Sequence, residues 1–172
     1  MTGGILAVLL AVILIVVLSS PLARPPSPAE RVDIGFTSTE GLRLTTSSVP
    51  FAGKVVVVDL MAALCPPCNA EMPELLAFRA AIREMDVEII SLSIWAGQPG
   101  FGETVADLEA FQERWGADWV FGVPDDTLLL VLDYQVQFPP FKILLDRNGD
   151  QVGTIPGETT SGALLQAITE VL

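Results

Sequence analysis

Gly53-Lys54-Val55-Val56-Val57-Val58-Asp59-Leu60, leading through Met61-Ala62-Ala63 to Leu64-Cys65-Pro66-Pro67-Cys68-Asn69-Ala70-Glu71-Met72-Pro73-Glu74-Leu75, is the stretch that decides the fold. Val55 to Leu60 is a continuous run of mostly β-branched residues, the pattern of a strand buried on both faces. After the cysteines, Leu75, Phe78, Ile82 and Met85 recur at helical spacing. Cys65 therefore stands where a buried strand gives way to a helix.

Outward from there, Val87 to Trp95 reads as a second buried strand, and Ala96 to Gly102 as a Gly/Pro-rich loop. A helix carrying Val105, Leu108, Phe111 and Trp115 follows. Asp118 to Val123 is a candidate short strand and Thr127 to Asp133 a short helix. Phe141 to Leu145 and Gln151 to Ile155 flank the hairpin turn Asn148-Gly149. Leu164, Leu165, Ile168, Val171 and Leu172 mark a closing amphipathic helix. Upstream, Asp33 to Thr46 alternates loosely around Glu40-Gly41, as a hairpin does. Parallel strands joined by a helix, plus antiparallel hairpins, make an α/β domain with a mixed sheet covered on both faces.

The organisation read from the chain is a membrane-anchor helix or signal segment over residues 1–23, a Pro-rich linker over 24–34 and a globular domain over 35–172. Ile5 to Leu18 is wholly apolar, and no charge occurs between Thr2 and Ala23. As a helix that charge-free stretch is roughly 33 Å long, enough to cross a bilayer core. The region before the apolar run lacks Lys and Arg, and Pro21-Leu22-Ala23 is a poor cleavage site, so a retained anchor is the favoured reading. Arg24-Pro25-Pro26-Ser27-Pro28 reads as a stiff spacer. Arg24 and Arg31 after the segment would by charge bias keep the domain inside, whereas the cysteine chemistry argues for the outside.

The formal net charge is −12, which repels nucleic acid and anionic headgroups. The chain has no histidine, which removes Ser-His and Cys-His pairs and most zinc or copper sites. Its two cysteines lie in one C-x-x-C. As a staple the pair would close too short a loop to stabilise much, and as a metal site it would be half built. Thiol–disulfide chemistry remains. Free N–H groups and the helix dipole at Cys65 favour the attacking thiolate, with donors from Cys68 and Asn69, since Pro66 and Pro67 have none. Cys68, one turn on, is placed to resolve a mixed disulfide formed at Cys65.

This stretch, with Tyr134-x-Val136, Pro140 and Ile143-Leu144-Leu145-Asp146-Arg147-Asn148-Gly149, resembles the thioredoxin-fold proteins of the TlpA/ResA type. The likeness covers roughly residues 35–172. It implies a thioredoxin-like fold and a membrane-tethered or periplasmic reductant. Cys65 would be the nucleophile and Cys68 the resolving thiol, with no cofactor beyond their disulfide and no metal. Pro73 would kink the active-site helix. Pro140 would be the cis-proline facing the C-x-x-C across a substrate groove shaped also by Pro139, Pro66 and Pro67. Asp59, six residues before Cys65, would match the buried aspartate that assists proton transfer from the resolving thiol. Implied partners are protein thiol and disulfide substrates and a membrane electron donor.

Three departures stand out. Val87 to Trp95 offers no lysine to pair with Asp59. Met61 and Leu64 replace the usual aromatic residues before the first cysteine, which makes the surface there more aliphatic. Pro139 offers a carbonyl but no N–H to an extended substrate. A redox-inactive or metal-delivering thioredoxin-like binding module is the alternative reading. A peroxidase would need Thr or Ser at position 62, which is Ala62.

Overall fold

The computed structural model describes residues 31–172. The expected anchor over 1–23 and most of the 24–34 linker lie outside the described residues. Among the described residues no helix is long and apolar enough to cross a membrane.

The elements in chain order are β1 (Gly35–Ser38), β2 (Arg43–Thr45), β3 (Val55–Met61), α1 (Pro66–Ala81), β4 (Val87–Ser93), α2 (Val105–Trp115), β5 (Val120–Pro124), α3 (Thr127–Asp133), β6 (Phe141–Leu145), β7 (Gln151–Pro156) and α4 (Ser161–Thr169). The strands form one sheet in the order β2-β1-β5-β4-β3-β6-β7. β3, β4 and β5 run parallel at its centre, and the β1–β2 and β6–β7 hairpins add antiparallel edges. The mixed α/β sheet expected of a thioredoxin-like fold is thus present.

β3 is buried along its whole length. Because side chains alternate across a sheet, Val55, Val57 and Met61 face a core shared with Leu75 and Phe78 of α1, Phe111 of α2 and Leu164 of α4. Val56, Val58 and Leu60 face a second core with Phe36, Phe51 and Leu130 of α3. Asp59 is in step with the first set and so lies on the side of α1. It pairs in register with Ser91 of β4 and Lys142 of β6, putting three polar side chains side by side across neighbouring strands.

Some boundaries differ from expectation for visible reasons. β4 stops at Ser93 rather than Trp95, because the Ser93 hydroxyl accepts the N–H groups of Trp95 (3.3 Å) and Ala96 (3.0 Å) and turns the chain away. α1 ends at Ala81 with Ile82 as its cap, so Met85 of the helical pattern lies beyond it. α2 begins as its sequence dictates, with Thr104 and Asp107 forming a capping box, and ends on Gly116 in the left-handed conformation (φ 60°). The helix α1 runs on through Pro73.

Candidate active site

Cys65 caps the N-terminus of α1 in extended conformation, and its sulfur accepts the Cys68 N–H at 3.3 Å. The second expected donor does not reach it: the Asn69 N–H goes to the Cys65 carbonyl at 3.1 Å, as helix geometry requires. The Cys65 thiol donates to the Pro139 carbonyl at 3.5 Å, and the Pro139–Pro140 bond is cis. Both cysteines are free thiols with 2% of their surface exposed. Pro67, Pro139 and Pro140 line a cleft of about 470 Å³ with Phe138, Gly157 and Glu158. Pro66 is exposed beside Cys65. The aliphatic surface expected from Met61 and Leu64 is reduced to Leu64, since Met61 is buried while Leu64 is 51% exposed.

Two clamps hold the turn that presents Cys65. The Asn69 amide donates to the carbonyls of Ala63 and Cys65, both at 2.9 Å, and its oxygen accepts from Arg114 of α2 at 2.6 Å. On the other side the buried Glu103 carboxylate accepts the Leu64 N–H at 3.0 Å and the Ser93 hydroxyl. Glu103→Ala would strand the Leu64 N–H in a part-buried turn. It is expected to lower unfolding stability by about 1–3 kcal/mol. A fall in the urea midpoint at unchanged slope checks this.

Behind the cysteines lies a buried charged group that sequence reasoning only half found. Asp59 is 1% exposed, not a solvated strand end. Its Oδ2 accepts from Ser91 at 2.9 Å, while Oδ1 has no hydrogen-bond partner. β4 supplies no lysine, as expected, but β6 does: Lys142 Nζ lies 3.9 Å from Asp59 and donates to Glu71 of α1. Burial pushes the Asp59 carboxyl up, against the opposing pull of Lys142 and Ser91. Burial, then the charge of Asp59, pushes Glu71 up to about 7, while Lys142 and the Thr159 N–H (2.7 Å) oppose it. The Cys68 thiol is pushed well above its ordinary value, first by burial, then by its hydrogen bond to Cys65, with Asp59 adding to it. One signal could have exposed the group: Lys142 interrupts a strand that otherwise reads as fully buried, and a buried charge needs a partner. Glu103 carried no such signal, sitting in a polar, Gly-rich loop.

The Redoxin family model matches residues 28–164, most of the chain. The chain belongs to the Redoxin family. The TlpA/ResA-type resemblance of this Redoxin-family chain is borne out among curated proteins. It is 30% identical over 111 residues to "Thiol-disulfide oxidoreductase ResA" of Geobacillus kaustophilus, covering 64% of this chain and 59% of that protein. The chain thus spans about three fifths of that relative's length. Among solved structures, a thiol:disulfide interchange protein of the thioredoxin family from Chlorobium tepidum superposes with a TM-score of 0.70 at 14% identity, covering 86% of this chain and 99% of that one. StoA from Bacillus subtilis gives 0.61 at 20% identity, covering 81% and 98%. These structures share the thioredoxin-like fold.

Proposed function

We propose that the chain is a thiol–disulfide oxidoreductase that reduces protein disulfides outside the cytoplasm, held at the membrane by residues 1–23 and re-reduced by a membrane electron donor. The observation that carries the reading is the placement of the two thiols. Cys65 touches the Pro139 carbonyl at the edge of the cleft, and Cys68 lies behind it beside a buried carboxylate. The ResA likeness supports the reaction class, the apolar run Ile5 to Leu18 supports the anchor, and the cysteine chemistry supports the extracytoplasmic side.

In this reading a Cys65 thiolate attacks one sulfur of the substrate disulfide, giving a mixed disulfide and releasing the first substrate thiolate. Cys68 loses its proton to Asp59 and attacks the Cys65 sulfur. The Cys65–Cys68 disulfide forms, the Cys65–substrate bond breaks, and the second substrate thiolate leaves to be protonated by solvent. No cofactor beyond this disulfide is required. The cleft would hold an extended substrate segment against Pro139 and Pro140, with exposed Phe138 offering it an apolar edge. Insulin reduction with dithiothreitol as electron source tests the proposal. Cys65-dependent turnover supports it, and its absence would favour a redox-inactive binding module.

Pro139 gives this wall a carbonyl and no donor, so one backbone hydrogen bond to an extended substrate is forgone. Pro139→Thr restores the N–H and is expected to raise the mixed-disulfide yield of a Cys68→Ser trap about fivefold, one ordinary hydrogen bond. An unchanged yield with a peptide disulfide would refute the one-sided wall.

A further inference from the structure

Lys142 has no exposed surface, yet it is a cation in the middle of the apolar strand β6. Its ammonium meets Glu71, the Asp59 carboxylate at 3.9 Å and the Gly157 carbonyl at 3.2 Å. The groups packed around it come from every side. β3 contributes Asp59, whose charge also acts on the Cys68 thiol, β4 the Ser91 hydroxyl bound to Asp59, and α1 Glu71. The segment after β7 contributes the Gly157 carbonyl and the Thr159 N–H. One cation therefore serves two buried carboxylates, each with one oxygen lacking a hydrogen-bond partner. A lone buried carboxyl beneath a buried thiol would stay protonated and could not accept a proton.

The geometry points to Lys142 as a positioning residue for the resolving step: fixed between Asp59 and Glu71, its ammonium keeps Asp59 able to ionise and take the Cys68 proton. Glu71 works against it, drawing the same ammonium away and setting a second negative charge beside Asp59. This assignment rests on the proposed oxidoreductase reading. The step it serves is the second one above: the Cys68 S–H proton passes to Asp59, the Cys68–Cys65 bond forms, and the Cys65–substrate sulfur bond breaks with its electron pair leaving on the substrate thiolate.

The test uses the reduced protein and a nitrobenzoate disulfide whose released thiolate absorbs in the visible. The first release reports attack by Cys65, and the second reports resolution by Cys68. Lys142→Met is expected to move the rising limb of the second phase up by about one pH unit, a tenfold loss on that limb. Glu71→Gln is expected to move it down. A purely structural role would lower the amplitude or the rate at every pH without opposite displacements. A Lys142→Met profile that superimposes on wild type after scaling, or a Glu71→Gln shift upward, overturns the assignment. Where Lys142→Met does not fold, the direction of the Glu71→Gln shift decides alone, and no shift counts against the proposal. A wild-type protein with no Cys65-dependent first phase sinks the oxidoreductase reading itself. A normal first phase with an unshifted second one sinks only the role of Lys142.

Discussion

Cys65→Ser is expected to bring disulfide reduction down to the uncatalysed background, while Cys68→Ser abolishes turnover yet still forms a mixed disulfide. The two losses differ because the two sulfurs occupy different places. Cys65 caps α1 and its thiol bonds to the Pro139 carbonyl of the cleft wall, so on the proposed reading its sulfur is the one that meets an incoming disulfide. A serine there keeps the cap, since its oxygen can accept the Cys68 N–H, but it supplies no thiolate. Cys68 is one turn further along α1, with its thiol pushed up by burial, by its hydrogen bond to Cys65 and by the charge of Asp59. On the proposed reading it does not compete for the first attack and acts once Cys65 is joined to substrate. Mass spectrometry of the two variants after exposure to a peptide disulfide checks this: no adduct on Cys65→Ser, one adduct on Cys68→Ser. An adduct on Cys65→Ser would reverse the assignment of the two thiols.

The second large effect concerns stability. Glu71 has its carboxyl raised from 4.5 to about 7 in the folded chain. The folded state therefore binds more protons than the unfolded one between these values, and stability must fall as pH rises through that window. At about 1.4 kcal/mol per unit, the loss for Glu71 alone is roughly 3 kcal/mol, complete by about pH 8. Asp59, raised in the same direction, adds to it. The lowered carboxyls of Asp33, Glu74 and Asp107 act oppositely, losing their contribution as pH falls below the ordinary carboxylate range, and they are near the surface. The reduced protein is thus expected to be most stable near about pH 5. Urea unfolding under reducing conditions across pH 4.5–8.5 measures the slope. Glu71→Gln should flatten most of it. A wild-type stability that rises toward pH 8 would contradict the buried charged group.

Much of this was legible before any coordinates. The β-branched run Val55 to Leu60 can be buried only on both faces, which places it at the centre of a sheet. A C-x-x-C directly after it then falls at a helix start. The short helix expected at Thr127 to Asp133 matches α3, whose start is fixed by Asp126, its side chain accepting the Leu129 N–H. The partners of Asp59 were not legible, because they depend on register. Lys142 faces Asp59 only through the antiparallel pairing of β3 with β6, and a shift by one residue would turn it to the other face. Glu103 was invisible for a related reason: its carboxylate reaches Leu64 across a loop whose path no periodicity encodes. Met61 is buried rather than on the surface because β3 extends through it and the sheet is covered on both faces.

On the proposed reading the dithiol pair at Cys65-Pro66-Pro67-Cys68 is poised to reduce. Among the described residues one backbone N–H reaches the Cys65 sulfur, the two prolines supplying none, and Cys68 lies beside a carboxylate. Both features leave the reduced form weakly stabilised, and a weakly stabilised dithiol is a strong reductant. Equilibration of the protein with glutathione redox buffers at neutral pH measures this directly. A potential near that of thioredoxin, about −270 mV, is expected, whereas a value near about −120 mV, typical of a dedicated oxidant, would contradict the reducing role.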